Sequence, residues 1–520
     1  MRKPYYILCL IAALACGLNA NAQKKMGRYY KNLLYEADIY YTQGDYYYAS
    51  ELYTELIKLN PEDAFVLGRL GISYYHLPPY KVEATRYLEL AVSNDDTEAK
   101  FYLAKNHISD YKFFDALTLI QDYENDADRL KSVTEIEHLK SSANRAIEMV
   151  KSPLSVTIKN LGETVNTKHH DYAPVWDFSK NTLYFTSRRR LNDNSEKDIS
   201  EQFDENIFIL DLESGSKAVK AAPAPLNTNR NDAAVATNPG GDELIVYRTS
   251  KDGYSGDLFV SKFSHYEWSD PEKLDQSVNS KHQEASACYD GTNEDVLYFS
   301  SDREGGFGGK DLYVVKKLPT GEWGEPVNLG ETINTPFNED APFVDANGDL
   351  YFASQGHETM GGYDIFVSTS TGSDFNKPQN VGYPINTPGD DIFFTINEDG
   401  TKAYFSSERV GGYGLQDLYE IDFDENNTII LRGQLSANQF EMPSTALITL
   451  FNEDSGNVEG LFQTKGDSGS FILALNTNQK YSILVEASGY DPLEKSLYFG
   501  AELNGLKEVE ETVTLSKKLR

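Results

Sequence analysis

A pattern of two short apolar strands joined by a glycine-rich turn recurs through the middle of the chain, and it restricts the fold more than any other feature. The clearest copy is DVLYFSSDREGGFGGKDLYVV, Asp295 to Val315. It returns as LYFASQGHETMGGYDIFV from Leu350 and as AYFSSERVGGYGLQDLYEI from Ala403. Looser copies are LYFTSRRR from Leu183 with NIFIL from Asn206, and LIVYRTSKDGYSGDLFV from Leu244. An asparagine opening a polar turn precedes each copy: Asn166, Asn227, Asn279, Asn334 and Asn386, spaced 61, 52, 55 and 52 residues apart. Repeats of this length, each built of several short strands, predict the blades of a β-propeller over residues 152–425. Five marks predict five blades; six follow if the segment from Arg188 to Asn206 holds a further strand pair.

The stretch SVTIKNLGETVNT lies just after Pro153, and it matches EWGEPVNLGETINT (Glu322 to Thr335) and DFNKPQNVGYPINT (Asp374 to Thr387). It has no preceding blade. Its strand, Val156–Lys159, is therefore expected to complete the last blade and to remove an open sheet edge.

Two polar positions recur within the copies. A carboxylate follows each marker asparagine: Asp171, Asp232, Glu284, Asp340 and Asp391. Placed before the innermost strand, five carboxylates could ring a channel mouth and favour a cation or a basic segment. The alternative is that each caps a local turn or bonds a neighbouring blade. An arginine after the second strand is also expected to meet an aspartate before the third: Arg248 with Asp257, Arg303 with Asp311, Arg409 with Asp417. These read as structural pairs within each blade. The first copy has Arg188 but Asn206, and the fourth has Gln355 but Asp364.

From Gly27 to Lys151 the periodicity is helical. Gly44, Tyr46, Ala49, Tyr53 and Pro61, with Leu33, Ala37 and Tyr40 before them, resemble a tetratricopeptide repeat. The pattern returns through Leu67, Gly71, Tyr74, Tyr80, Ala84 and Tyr87, and again through Leu103, Ala104, His107, Phe113 and Ala116. Small residues at Gly71, Ala84 and Ala116 let paired helices approach, and aromatics fill the gaps. Residues 131–151 read as a closing helix. The concave face of such an array would hold a protein or peptide partner.

Residues 426–516 alternate apolar and polar residues between Gly/Asn/Asp turns, which predicts a seven-stranded β-sandwich. Gly433, Gly469-Ser470-Phe471, Tyr481 and Ala487-Ser488-Gly489-Tyr490 resemble the carboxypeptidase regulatory-like domain, a docking module without hydrolase activity. Gly466-Asp467-Ser468-Gly469 matches the nucleophile motif of trypsin-like proteases, but no histidine follows His357 to serve as base. The tetrapeptide reads as a hairpin turn. No HExxH, GxSxG or GxxxxGK[ST] motif occurs, and the histidines, His169-His170 included, form no ligand cluster by spacing. No catalytic, cofactor or metal residues are assigned.

Arg2 and Lys3, the apolar run Tyr6 to Leu14 and Ala20-Asn21-Ala22 predict a signal peptide over residues 1–22. The rival reading is lipidation at Cys16, where Ala13 stands three residues before in place of the usual leucine. Either reading predicts export. No later run approaches the about 18 apolar residues of a spanning helix. The formal net charge of −32 disfavours nucleic acid. Cleavage after Ala22 leaves Cys288 as the one cysteine, so packing rather than a disulfide must hold the fold.

The marks N-(T/S)-x-x-x-(D/E), LYFxS and GGxGGxDLY resemble WD40-like propeller repeats of the TolB type. The order of signal, tetratricopeptide array, propeller and regulatory-like sandwich resembles PorE-type envelope proteins of the type IX secretion and gliding machinery. That resemblance implies a non-catalytic scaffold at the periplasmic face of the outer membrane. The family's OmpA-like peptidoglycan-binding domain has no counterpart in this sequence, so no cell-wall-binding residues are carried over. A sensor holding a glycan or cation in the propeller channel is the second expectation, and a hydrolase the third.

Overall fold

Aspartates start three of the helices at the front of the chain. Asp45, Asp63 and Asp96 each accept the backbone N–H three residues on, satisfying a donor that the first helical turn leaves unpaired. The computed structural model describes residues 27–518 except 78–79, 155, 194, 199–201, 214–217, 251–254, 373, 424–427, 438–442, 444, 454–455, 465–468, 477–478 and 500–507. The signal-peptide and Cys16 readings, and Gly466 to Ser468, lie outside the described residues. The chain divides into two units, 1–140 and 141–520.

Among the described residues there are seven helices: α1 (27–42), α2 (Tyr46–Leu59), α3 (Ala64–Tyr75), α4 (Lys81–Ser93), α5 (Thr97–Ser109), α6 (Phe113–Glu124) and α7 (Val133–Val150). From α2 to α6, consecutive helices pack on one another. Ala49, Ala84 and Ala116 have no exposed surface. A Cβ on Gly71 would stand 2.9 Å from the Leu88 backbone nitrogen, so α3 and α4 approach as closely as glycine permits. Gly44 has a different role, supplying a φ of 79° in the turn between α1 and α2. Buried tyrosines are satisfied by carboxylates from neighbouring helices: Tyr53 donates to Asp38 at 2.6 Å, and Tyr123 to Glu98 at 2.5 Å.

In the second unit, five small antiparallel sheets follow one another. The first holds Asp171–Asp177, Thr182–Ser187, Asn206–Asp211 and Val219–Ala221. The second holds Asp232–Thr237, Glu243–Thr249, Gly256–Ser264 and Glu272–Lys273, with Glu267–Trp268 beside the third strand. The third holds Ala287–Asp290, Asn293–Ser301, Asp311–Lys316 and Val327–Asn328; the fourth Glu339–Val344, Leu350–Ser354, Asp364–Ser368 and Gln379–Asn380. In the fifth, Asp391–Ile396, Lys402–Ser407 and Asp417–Asp422 are completed by β1, Thr157–Asn160, which pairs antiparallel with Asp417–Asp422. No strand occurs among the described residues between Ser187 and Asn206.

Apolar clusters fill each space between successive sheets. Leu244 and Tyr184 share one between the first and second, Leu258 and Leu297 one between the second and third, and Tyr298 and Phe352 one between the third and fourth. Ile365 joins Phe394 and Phe405 between the fourth and fifth, together with Val156. A further cluster joins Tyr404 and Leu418 of the fifth sheet to Trp176 and Phe185 of the first, so the series of sheets closes on itself. The innermost strands break register between Tyr172 and Val175, Ala234 and Ala236, Asp340 and Phe343, and Ile392 and Thr395. At three of these bulges the freed N–H turns to a hydroxyl of another sheet: Ala173 to Ser406, Ala234 to Thr186, Ala341 to Ser286, at 3.0–3.1 Å.

Seven strands follow among the described residues, in a sheet of three (Ser470–Asn476, Thr428–Ser436, Glu508–Thr514) and a sheet of four (Val458–Gln463, Ala446–Asn452, Lys480–Ala487, Leu493–Tyr498). Leu431, Leu435 and Leu473 of one share a single core with Ile448, Ile483 and Val485 of the other. No described helix is long and apolar enough to cross a membrane.

Candidate functional site

Each marker asparagine acts as a piece of strand. Asn386 Oδ1 accepts the Ile365 N–H, and its amide donates to the Ile365 carbonyl, both at 2.8 Å. Asn166, Asn227, Asn279 and Asn334 do the same to Leu418, Ile207, Leu258 and Leu312. Three of them also donate to an asparagine of the outermost strand: Asn334 to Asn328, Asn386 to Asn380, and Asn166 to Asn160. Asn160 lies on β1, so that strand carries the same hydrogen-bond signature as the outer strands of the third and fourth sheets. In each case a glycine two residues on, Gly162, Gly330 or Gly382, takes a φ of 79–92° and returns its N–H to the asparagine.

The carboxylate five residues after each asparagine is buried and turned back on its own turn. Asp171, Asp232 and Asp391 have no exposed surface, and Glu284 has 1%. Each accepts a backbone N–H and a hydroxyl from the residue after the asparagine: Thr167, Thr228, Ser280 and Thr387, at 2.6–2.8 Å. In the fourth sheet this position is Glu339, held by Thr335 and Ser354 at 2.7 Å. The assignment of Asp340 is therefore corrected by one residue. Asp340 pairs instead with Lys310 at 2.8 Å and takes the Ser300 hydroxyl at 2.7 Å. Burial works against its charge, yet Lys310 and the hydroxyls of Ser286 and Ser300 hold it below the usual carboxylate range. The carboxylates cap turns and bridge strands, so they offer no open ring to a cation.

The arginine pairs are corrected as well. Arg248, Arg303 and Arg409 reach the turn carboxylates Asp232, Glu284 and Asp391, not Asp257, Asp311 and Asp417. In the first sheet Arg189 fills this role with Asp171 at 2.5 Å, while Arg188 pairs with Asp198. Each guanidinium also donates to the carbonyl before a marker asparagine and covers aromatic rings, as Arg409 covers Phe405 and Tyr419 at 4.8 and 4.9 Å. In the fourth sheet His357 stands in for the arginine. Its Nε2 lies 2.7 Å from the Ile333 carbonyl, and its ring packs on Phe352 and Phe366.

The third-strand aspartates serve the glycine-rich turns. Asp311 accepts the N–H groups of Phe307 and Gly308, and Asp417 those of Tyr413 and Gly414; Asn328 and Asn160 bond them from the outer strands. Asp257 pairs with Lys273 at 2.8 Å. Among the described residues Asp364 receives Met360 and Asn380, both on one oxygen, and its Oδ1 has no hydrogen-bond partner. Burial raises its pKa well above the ordinary 3.8. Between those two values the folded chain binds a proton that the unfolded chain does not, so stability falls as pH rises through the window. Asp364→Asn lacks that slope. Its melting temperature is expected to gain on wild type as pH rises above about 4, by about 2–4 °C for each kcal/mol removed. Parallel melting profiles in scanning calorimetry would contradict the buried, proton-binding carboxyl.

His169 and His170 diverge. His169 Nδ1 lies 3.1 Å from Gln202 Oε1, while burial and then Arg188 push His170 down to about 4. Among the described residues no cluster of His, Cys, Asp or Glu could hold a metal ion.

Two further surfaces could receive another molecule. One is a cavity of about 140 Å³ on the axis of the five sheets, where the innermost strands end. All five contribute to it, chiefly through Val, Ala, Pro and aromatic side chains such as Val175, Trp176, Pro239, Val344 and Phe394. The other is a run of half-buried rings on the helical unit: Tyr41, Tyr46, Tyr75 and Tyr102, with the exposed His76 stacked 4.2 Å from Tyr46. Arg69 lies over Tyr41, Lys105 over Tyr75 and Lys131 over Tyr102, at 4.1, 5.2 and 5.4 Å. Neighbouring rings desolvate the imidazole, and Lys105 and Lys131 disfavour its charged form, so His76 is pushed down to about 4. Individual tyrosines were legible in the sequence as packing residues; their alignment under cations was not.

No protein family model matches the chain, and no curated protein matches it by sequence. Solved structures with partial likeness include a TPR2AB-domain:pHSP90 complex of yeast Sti1, 22% identical over 26% of this chain and 55% of that one, TM-score 0.21. A prolyl endopeptidase is 11% identical over 60% of this chain and 38% of that one, TM-score 0.28. An α-L-arabinofuranosidase from Lactobacillus brevis is 10% identical over 53% of this chain and 93% of that one, TM-score 0.31. This chain thus spans about half of the first and less than half of the second. At such identities and TM-scores the likenesses assign neither family nor activity.

Proposed function

We propose that this chain is an exported, non-catalytic scaffold that docks protein partners at the periplasmic face of the outer membrane, as its resemblance to PorE-type proteins implies. In this reading the helical unit is a tetratricopeptide array, the five sheets are a five-bladed TolB-type propeller, and the last seven strands are a regulatory-like β-sandwich. One observation carries the docking role: the cation-covered tyrosine run of the helical unit. Arg69, Lys105 and Lys131 lie over half-buried rings in a chain whose formal charge is −32. Aromatic rings and arginine are the residue types in which contact energy concentrates at protein interfaces. Several modest contacts on separate modules would add avidity.

The second reading, a ligand-binding or sensing role, is favoured by the axial cavity. Its apolar wall suits neither a glycan nor a bare cation, so the ligand class expected from the sequence changes with it.

Affinity capture from crosslinked native envelopes tests the scaffold. Wild type is expected to retain a defined set of outer-membrane proteins, and a variant with Arg69→Glu and Lys131→Glu to lose most of it. Equal retention by both, or a hydrolytic activity that stays with the purified chain, would overturn the reading.

A further inference from the structure

The glycine-rich turns of the third, fourth and fifth sheets run along the same path. The residue four before each third-strand aspartate donates its N–H to that carboxylate: Phe307 to Asp311, Met360 to Asp364 and Tyr413 to Asp417. A glycine follows it and presses on the next repeat. A Cβ on Gly308, Gly361 or Gly414 would collide with a main-chain oxygen of Phe337, Pro388 or Thr167. Phe307, Met360 and Tyr413 are therefore equivalent positions of three repeats. In the first sheet the place falls to the buried Gln202, and in the second it lies outside the described residues.

Their surroundings differ. At the fourth turn the chain covers its own backbone. Arg145, in the part of α7 that belongs to the second unit, donates to the Thr359 carbonyl at 2.8 Å, and the Ser142 hydroxyl lies 3.3 Å from that of Thr359. Thr359 and Met360 have no exposed surface, and Ser142, Ala143 and Ala146, the small residues of the helix, are buried. The fifth turn meets the seven-stranded region, where a Cβ on Gly456 would stand 3.7 Å from the Gly411 Cα. At the third turn every residue from Glu304 to Gly309 is exposed, Phe307 by 49%. Gly306 stands where the fourth turn has Thr359, so its carbonyl is the counterpart of the one that Arg145 holds, with no side chain beside it. The bare turn is also continuous with the covered one, because Phe337 lies between them. Gly309 donates to the Phe337 carbonyl at 2.7 Å, and a Cβ on Gly356, in the loop leading to Thr359, would stand 3.0 Å from the Phe337 ring.

We propose that the third glycine-rich turn docks an α-helix of a partner protein, in the manner in which the fourth turn holds α7. Small residues one helical turn apart let that helix lie on the bare backbone of Gly305 and Gly306. Phe307 packs along its side, and an arginine reaches the Gly306 carbonyl. An aromatic ring on a preformed turn and an arginine are the residue types in which contact energy concentrates. The site rests on the scaffold reading, to which it adds a docking point on the β-rich unit, and the two fail separately. Partner capture that depends on Arg69 and Lys131 but not on Phe307 would leave the scaffold intact and remove this site.

The test uses the full chain and a fluorescein-labelled peptide copying residues 138–151, stapled because so short a helix is marginal alone, in anisotropy titrations. In the full chain α7 fills the fourth turn, which leaves the third for the peptide. Saturable binding is expected. Phe307→Asp should weaken it at least about tenfold without lowering the melting temperature, because the ring is already half in solvent. Tyr413→Asp, at the equivalent position of the fifth turn, should leave it unchanged. Arg145→Ala in the peptide should weaken it about tenfold, the worth of one charged hydrogen bond. No saturable binding, equal binding by Phe307→Asp and wild type, or loss in Tyr413→Asp instead would overturn the proposal.

Discussion

Replacing Asp391 by alanine is expected to destabilise the β-rich unit by about 3–5 kcal/mol, close to the largest effect of any single substitution in the chain. The Asp391 carboxylate is fully buried and holds Arg409 at 3.0 Å, the Ser407 hydroxyl at 2.5 Å, and the Thr387 N–H and hydroxyl at 2.6 and 2.7 Å. Alanine leaves four donors without their acceptor, one of them a guanidinium whose side chain is 3% exposed. The unpaired charge dominates that cost. Asp391→Leu combined with Arg409→Met should therefore cost less than Asp391→Ala alone, a non-additivity readable in urea unfolding. A single variant within about 1 kcal/mol of wild type would mean that the carboxylate is solvated and the buried pair is not formed.

Asn386→Ala is expected to cost less, about 1–3 kcal/mol, for a different reason. No charge is involved. The side chain takes both main-chain groups of Ile365 and the side-chain oxygen of Asn380. The Ile365 carbonyl keeps the Val381 N–H and the Asn380 oxygen keeps that of Gly382, so removing the side chain orphans chiefly the buried Ile365 N–H, at about 1–3 kcal/mol. The loss should appear as a lower urea midpoint with unchanged slope. An unchanged midpoint would show that this residue is not the strand substitute seen in all five repeats.

These two positions also show how far the sequence could be read. The asparagine spacing was visible because one residue type does one job, pairing with a main-chain unit, and no other side chain matches both a donor and an acceptor there. The strand before the first repeat was visible for the same reason, since Asn160-Leu161-Gly162 copies Asn328-Leu329-Gly330. The observed Thr157–Asn160 lies one residue beyond the expected span. The fourth carboxylate was missed because Glu339 and Asp340 are adjacent acids; counting five residues from each asparagine would have selected Glu339. The arginine partners were missed because nearness along a hairpin suggested the third-strand aspartate. That aspartate is already taken by N–H groups of the glycine-rich turn, and the arginine bends back over its rings to the turn carboxylate. The spacing Ser-x-Arg, as in Ser187 to Arg189, Ser301 to Arg303 and Ser407 to Arg409, would have separated Arg189 from Arg188. Nothing in composition or period could have shown His357 replacing an arginine, because that exchange is set by which side chain reaches the Ile333 carbonyl. The axial cavity was equally hidden: its wall is assembled from five strands far apart in sequence.

Closure of the five sheets by β1 is the premise beneath the site corrections and the cavity. A disulfide trap tests it most directly, with Lys159→Cys and Glu420→Cys placed at partners in register across β1 and its neighbour. As a reference, Val314→Cys with Val327→Cys joins partners within the third sheet. Both pairs are expected to oxidise in the folded chain at similar rates, giving a disulfide that is detectable by mass spectrometry after proteolysis. Oxidation of the reference pair while the Lys159→Cys and Glu420→Cys pair stays reduced would show that the ring does not close in this way.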